Sequence, residues 1–552
     1  MNPCFNLWDA PWIRVRTEDC SIHEVSLLDA LLHARGYSSL AGESPAQDAA
    51  ILRLLIAIVH TVFYRMDENG NSAVLKDEDD ALDRWAAIWD KKNFPEIPLR
   101  LYREQWLSRF DLLDEEHPFY QVPEAKKGTP HTAAKLNGTI LQSENKLRIF
   151  SSRTEEYSKS LSYSEAARWL IYLQGFDDAS IKPKTVKTSL KTTYPKKGWL
   201  GNLGLLYAVG ETLFETIWLN NVLLKDGSKL YAEPRPSWEL PSANAGEYTQ
   251  ISVPDNLAGL FTIQSRRILL KRKENQITEY AEFCGDLLDP QDAFAEPMTV
   301  WRPVVNKTIK IGYSPRPHAP SRQLWRDFSA IAVRTDENRL PGISYWLTEL
   351  QDSSCLERDR LNRFAVVSVL YDNKGSSVEN TVSDTISFHA DLLTKAGHIW
   401  QRRIEDQVQL CDKLAEALGA LAGELSIAAG RREIENRKTL PPQRMSVADI
   451  AKTQYYFRID AAFRQWLLQP EAGQSGDEVE RLCQSWRETA RRIACNQGNE
   501  LVESAGEAAF LGRWIETEDK KGKRTTHYSS AEAFNHFLVR INRICKNEKR
   551  GE

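Results

Sequence analysis

At 552 residues the chain exceeds what one hydrophobic core supports, and roughly 100–200 residues per domain predicts two to four domains. The formal net charge of −4 excludes a generally basic nucleic-acid coat, so any nucleic-acid binding must use local patches. Sixteen tryptophans predict extensive packed aromatic surface and large contacts with partner chains.

Residues 5–15, FNLWDAPWIRV, read as a short strand with two tryptophans for burial. The opening stretch lacks the basic and apolar regions of a signal peptide. Residues 44–66 predict a helix with Ile51, Leu54, Leu55, Ile58, Val59, Val62 and Phe63 on one broad face. Its most apolar part, 51–63, is shorter than a bilayer span and carries Arg53 and His60, so a cytoplasmic chain without a membrane partner is expected. The acidic run Asp77-Glu-Asp-Asp80 marks a solvated helix start. Residues 124–145, with Gly128, Pro130 and Gly138, predict a polar loop. A short strand, 146–150, and a second polar loop, 151–161, follow. Ser162-Tyr-Ser-Glu165 has capping-box spacing before a helix over 166–174.

Residues 182–198, KPKTVKTSLKTTYPKKG, hold six lysines (Lys182, Lys184, Lys187, Lys191, Lys196, Lys197) and no acid. No apolar period runs through them, which predicts an exposed loop between the helix before it and a buried, all-round apolar helix over 203–224. Such a loop suits a polyanion, the phosphate backbone above all, or is a solvated surface loop; the stretch alone leaves both open. Residues 261–273 alternate like a strand and end basic. Residues 300–313 alternate too, with Lys307 and Lys310 three apart. The clearest strand is 364–371; Asp372-Asn-Lys-Gly375 is a turn and 378–388 a return strand, together a hairpin. Beyond about 385 strands stop. Helices are expected over 391–430 (one, or two broken near Gly419 and Gly423), from the Ser446 cap to 469, over 477–496 and over 530–545. The fold class is α+β: a mixed α/β N-terminal domain, 1–385, followed by an all-α four-helix bundle, 386–552.

No catalytic constellation emerges. There is no H-E-x-x-H, no Walker loop and no G-x-S-x-G elbow. Eight cysteines without C-x-x-C spacing, several at apolar helical positions, predict buried reduced thiols, with neither a disulfide framework nor a zinc site. Gly198-Trp-Leu-Gly-Asn-Leu-Gly204 is only loosely like a phosphate loop; close packing or helix entry is the better use of its glycines. His318, in Pro315-Arg-Pro-His-Ala-Pro320, reads as structural. The expectation is a binding and assembly protein: no enzyme, no metal, no cofactor.

Several phrases in order carry a family resemblance: FNLWDAPWIRV, HPFYQV at 117–122, LRIFSSR at 147–153, LSYSEAARWLIYLQGFD at 161–177, GETLFETIWLNNVLL at 210–224, PSWE at 236–239 and PMTVWRP at 297–303. With a helical tail after 385, they resemble the CasA-type large subunit of Cascade, the type I-E CRISPR surveillance complex. The resemblance implies a non-enzymatic subunit seated at the crRNA 5′ end among other Cascade subunits. Such a subunit reads the protospacer-adjacent motif (PAM) in double-stranded target DNA and helps open the duplex. After R-loop formation it docks the helicase–nuclease of antiviral interference. Guide pairing then supplies most of the specificity, and the protein needs only a short motif reader and phosphate contacts.

The same resemblance implies the site residues. Phe150, Ser151 and Ser152 match the family's first loop facing DNA and crRNA. Lys307, with Lys310 close behind, matches its minor-groove lysine, suited to a groove with a degenerate code. Lys187, Lys191, Lys196 and Lys197 stand where the family often has a glycine-rich PAM loop, which implies phosphate contacts and a permissive PAM. Asn373 and Lys374 take the tip of the wedge hairpin. An unrelated reading, a nucleic-acid-modifying hydrolase with a helical accessory domain, needs a metal or nucleotide site that these residues do not supply. A third, a scaffold without DNA contact, needs the lysine loop to be silent.

Overall fold

The structure, a computed structural model, describes residues 4–138, 157, 159–180, 196–243, 251–306, 309–335, 338–357, 359–431, 446–519 and 522–547. The chain forms two units. One comprises Met1–Ala319 and Arg334–Thr385, the other Pro320–Val333 and Ile386–Glu552.

The larger unit is built around α1 (Pro45–Arg65). Ser44 starts it by accepting a hydrogen bond from the Gln47 N–H at 3.2 Å, with proline at the first turn. The helix has 21 residues and is apolar enough to cross a bilayer, so the length argument against a span does not hold. Burial explains it instead: 94% of its most apolar window lies inside the protein. Its two polar interruptions have partners. Arg53 forms a bidentate pair with Glu296 at 2.7 and 3.0 Å, and His60 Nδ1 lies 2.8 Å from Asn221 Oδ1. Each fully buried Leu, Ile or Val on this helix contributes roughly 1.5–3 kcal/mol.

Around α1 lie small antiparallel sheets. β1 (Ile13–Thr17) pairs with β2 (Ile22–Val25) and β3 (Tyr37–Leu40). The opening strand thus starts at Ile13, later than expected, while Trp8 and Trp12 are buried as expected. α2 (Glu78–Lys91) is capped by Asp77 and brings in Trp85, whose indole donates to the Trp218 carbonyl while Trp218 donates to that of Trp85, both at 3.0 Å. Within the expected loop 124–145 the chain forms β4 (Thr129–Thr132) and a short helix, Ala133–Leu136. β4 is an edge strand, where pairing uses the backbone and both polar side chains and Pro130 are tolerated. α3 (Tyr163–Phe176) carries the expected capping box, Ser162 with Glu165.

The predicted helix over 203–224 is instead β5 (Leu205–Val209) followed by α4 (Leu213–Leu219). A continuous apolar run does not distinguish a buried strand from a buried helix; pairing decides. The Asn220 side chain takes both the N–H and the carbonyl of Ala208, at 2.9 and 2.6 Å, and closes the strand onto the helix. The hairpin β6 (Leu224–Lys225) and β7 (Lys229–Leu230) follows. β8 (Arg266–Lys273) and β9 (Gln276–Cys284) then form a sheet in the order β4-β9-β8. β10 (Trp301–Asn306) pairs with β11 (Ile309–Pro315), and the third three-stranded sheet has the order β13-β12-β5, with β12 (Leu361–Tyr371) and β13 (Val378–His389).

In the smaller unit, α5 (His398–Ala428) runs unbroken through Gly419 and Gly423. It packs against α6 (Val447–Leu467), α7 (Gly476–Ser504) and α8 (Ser530–Asn547), with α6 on α7 and α7 on α8. Trp325 stacks on Phe463 at 4.2 Å, and Phe463 meets Trp486 edge-on at 4.9 Å. This region is not all-α. β14 (Arg513–Asp519) and β15 (Gly522–Tyr528) form a hairpin in register from Arg513–Tyr528 to Asp519–Gly522. Its strands are largely polar, so no apolar period announces them. All eight cysteines are free thiols. Cys411 and Cys483 are buried as expected, but Cys4 and Cys20 are exposed.

Candidate nucleic-acid interface

The turn between β12 and β13 is specified locally. Gly375, at φ +69°, donates to the Asp372 carbonyl at 2.8 Å, and Asp372 N–H donates to Ser377 O at 3.0 Å. The Asp372 carboxylate accepts from the Ser376 N–H at 2.6 Å and its hydroxyl at 2.8 Å. Burial pushes the Asp372 pKa up, but these bonds, with the N–H groups of 377 and 374, outweigh it and hold the pKa below the usual value. Asn373 and Lys374 are left exposed at the tip.

The entry of the lysine-rich segment is tied to that turn, and its exit is tied back to the entry and to the end of β12. Residues 181–195, with Lys187 and Lys191, lie outside the described residues. At the entry, Ala179 N–H donates to Gly375 O at 2.7 Å. At the exit, Gly198 N–H donates to Asp177 O at 2.9 Å. The buried Arg266 stitches the ends together. Its Nε is on the Asp177 carboxylate, and its Nη2 donates to Asp178 O at 2.8 Å and Lys196 O at 2.9 Å. Lys135 Nζ pairs with Asp178 at 2.6 Å. Lys197 lies 4.1 Å over the Tyr371 ring, whose hydroxyl donates to Phe176 O at 2.6 Å. Burial lowers the Lys197 pKa, with Asp372 opposing. Lys196 sits 3.7 Å from Asp289. Arg266 escaped the sequence reading, although two arginines inside the apolar stretch FTIQSRRILL were a signal.

The glycines of 198–204 serve close packing. A Cβ at Gly198 would lie 2.5 Å from Gly175 O, and one at Gly204 would collide with the Arg316 carbonyl. Trp199 fixes the loop exit to the core: its indole donates to Glu296 at 3.1 Å, the carboxylate that holds Arg53.

A third element rises from the same sheet. Val300 N–H donates to Gly204 O at 2.9 Å and Leu206 N–H to Met298 O at 3.2 Å, so the β10–β11 hairpin starts from the edge of β5. Its other leg ends at the proline–histidine turn. There the buried His318 ties the turn to its neighbours: its backbone N–H donates to Ser368 Oγ at 3.0 Å, and Nε2 faces Leu205 O at 3.2 Å. Along the hairpin the register shifts between Val304 and Val305, and Lys310 stands opposite Val305. Lys307, Phe150, Ser151 and Ser152 lie outside the described residues. The structure thus brings together Lys196, Lys197, Asn373 and Lys374, and sets the hairpin that carries Lys310 on the same three-stranded sheet. Among the described residues, no group of three or more His, Cys, Asp or Glu could hold a metal ion.

The fold is shared with known proteins. The family model of CRISPR-associated protein Cse1 matches residues 6–497. The CRISPR-associated protein CasA/Cse1 of Thermus thermophilus is 25% identical over 503 residues, covering 89% of this chain and 91% of that protein. The crystal structure of Thermobifida fusca Cse1 has a TM-score of 0.80 at 27% identity, covering 98% of each chain. A chain of a CRISPR RNA-guided surveillance complex has a TM-score of 0.62 at 17% identity, over 91% of this chain and 99% of that one, a likeness of fold alone. With the family model spanning most of its length, this chain belongs to the CRISPR-associated Cse1 family.

Proposed function

We propose that this chain is the non-catalytic large subunit of a Cascade-type CRISPR ribonucleoprotein, which reads a PAM in double-stranded DNA and starts duplex opening. Family membership supports the reading, as does the shared fold with a chain of an RNA-guided surveillance complex. The observation that carries it is the common root of the three candidate elements. The ends of the lysine segment, the Asp372–Gly375 turn and the β10–β11 hairpin are all tied to the β13-β12-β5 sheet. Phosphate contacts position a protein on DNA, while groups at a rigid tip act on the bases; one sheet serving both fixes their relative register. Lysines at 187, 191, 196 and 197 hold phosphates, Lys307 or Lys310 enters the minor groove, and Asn373 with Lys374 wedges under the first base pair. Phe150, Ser151 and Ser152 face crRNA and DNA. The helices α5 to α8 form the four-helix bundle, meet other Cascade subunits and take part in docking the helicase–nuclease after R-loop formation. The complex works in the cytoplasm.

The test is strand opening by the assembled complex, followed by a fluorescent base analogue next to the PAM. Asn373→Ala with Lys374→Ala should slow opening by about tenfold or more, the loss of roughly 1.4 kcal/mol of transition-state contact, with crRNA-complex assembly unchanged. Opening at the wild-type rate would overturn the assignment of the wedge.

A further inference from the structure

Two of the phrases singled out in the sequence, His117-Pro-Phe-Tyr-Gln-Val122 and Pro236-Ser-Trp-Glu239, take no part in the elements above. They meet in the walls of one cleft of about 370 Å³ within the larger unit. That volume lies in the range of about 300–1,000 Å³ found for small-ligand sites.

The inner wall is aromatic. Phe119 stacks on Tyr120 at 4.3 Å and 7°, and Trp238 lies 6.5 Å from Phe119. The wall is also held rigid. Tyr120 has φ +55°, an outlier for an aromatic residue, and its neighbours enforce it. Gln174 Nε2 donates to Tyr120 O at 3.2 Å, Gln121 Nε2 donates to Leu112 O at 2.9 Å, and Leu270 N–H donates to Gln121 Oε1 at 2.9 Å. A strained backbone fixed from three sides gives a preformed surface, which a ligand need not order.

The rim is cationic. Arg109 reaches across to Leu240 O at 2.8 Å and Ser242 Oγ at 3.2 Å, and His117 Nδ1 is 2.8 Å from the same hydroxyl. Arg235 is exposed, and its guanidinium meets no partner among the described residues. Deeper in, Arg267 is 2% exposed, and its Nε is buried without an acceptor. Of the two lining acids, Asp286 is committed to Arg267 at 2.6 Å, which leaves Asp255 at the rim against Arg109 and Arg235. An aromatic wall takes a flat ring, and planar guanidinium groups take phosphate oxygens in pairs.

We propose that this cleft binds a single unpaired nucleotide, its base toward Phe119, Tyr120 and Trp238 and its phosphate on Arg109 and Arg235. A free mononucleotide and an unpaired nucleotide of a strand share this chemistry. The site concerns residues apart from the duplex-facing elements and does not rest on the function proposed for them.

The test uses the full chain and calorimetric titration with AMP, adenosine, inorganic phosphate, and adenylate hexamers of RNA and of DNA. AMP should bind saturably, with adenosine and phosphate each about tenfold weaker or worse, because each keeps only half of the contacts. Arg235→Glu should weaken AMP about tenfold or more without changing the melting transition, since Arg235 holds nothing in the fold. Arg109→Gln should weaken it as well. A tighter RNA than DNA hexamer, or the reverse, supports the site and names the source of its nucleotide. Absence of saturable AMP binding, equal binding of phosphate and AMP, or indifference to Arg235→Glu would overturn the proposal.

Discussion

Arg266→Met tests whether the ends of the lysine segment are held as described. The guanidinium donates to the Asp177 carboxylate, to Ser265 O at 2.7 Å, to Asp178 O at 2.8 Å and to Lys196 O at 2.9 Å, all out of water. Methionine fills much of the same space, so little cavity results. The damage is electrostatic: the 7% exposed Asp177 loses its cation. The fully buried Glu282, which pairs with His131 at 3.0 Å, loses a neighbouring positive charge. Removing one partner of a buried pair costs about 3–5 kcal/mol, a large share of the roughly 5–15 kcal/mol that holds a domain. Urea unfolding should therefore show a lower midpoint at unchanged slope. Asp177→Asn with Arg266→Met should recover part of the loss, because no orphaned carboxylate remains at 177. A loss below about 1 kcal/mol, or a double variant no better than the single one, would show that Arg266 does not anchor the loop ends.

His60 is fully buried, and burial pushes its pKa down to about 4, with the hydrogen bond to Asn221 only partly opposing. Below pH 6.5 the unfolded chain takes up a proton that the folded chain refuses. Stability should therefore fall between pH 6.5 and 4, by on the order of 3 kcal/mol from this group. His60→Gln should flatten that part of the pH–stability curve in calorimetry, whatever it costs at pH 8. Asp372 has a depressed pKa, so its contribution is present above the ordinary carboxylate range and lost as pH falls below about 4. Amide exchange at Ser376 and Ser377 should accelerate there before the rest of β12 responds. Asp372→Asn should show fast exchange already at neutral pH.

Local signals survived the step from sequence to structure, and signals that depend on distant partners did not. The Ser44 cap, the Ser162–Glu165 capping box and the Asp372–Gly375 turn each involve residues within a few positions, and each is present. Residues 203–224 failed because Leu205–Val209 takes strand geometry from pairing with 363–367, more than 150 positions away. β4 was hidden because an edge strand is specified by its partner's free backbone groups, not by its own polar side chains. The candidate site divides in the same way. The lysine-rich composition and the hairpin tip were visible in the sequence, but Arg266, Tyr371 and Lys135 act through contacts that no spacing reveals.

That division also bears on how the proposed reader works. A basic segment attached at one end samples many positions, and its phosphate contacts carry no register. Here the entry bond from Ala179 to Gly375 and the exit bond from Gly198 to Asp177 hold both ends, and the closure entropy of the intervening residues is already met by folding. In the proposed reading, phosphates held at Lys196 and Lys197 would lie beside the turn that carries Asn373 and Lys374. Lysine side chains reading backbone charge discriminate sequence weakly, so the proposed reading assigns motif specificity to the hairpin that carries Lys310 and to the Asn373–Lys374 tip. Shortening the lysine segment should consequently weaken binding to all duplexes alike and reduce its salt dependence, with motif preference unchanged. If preference changed instead, the segment would be reading bases, and the permissive PAM argued from its composition would be wrong.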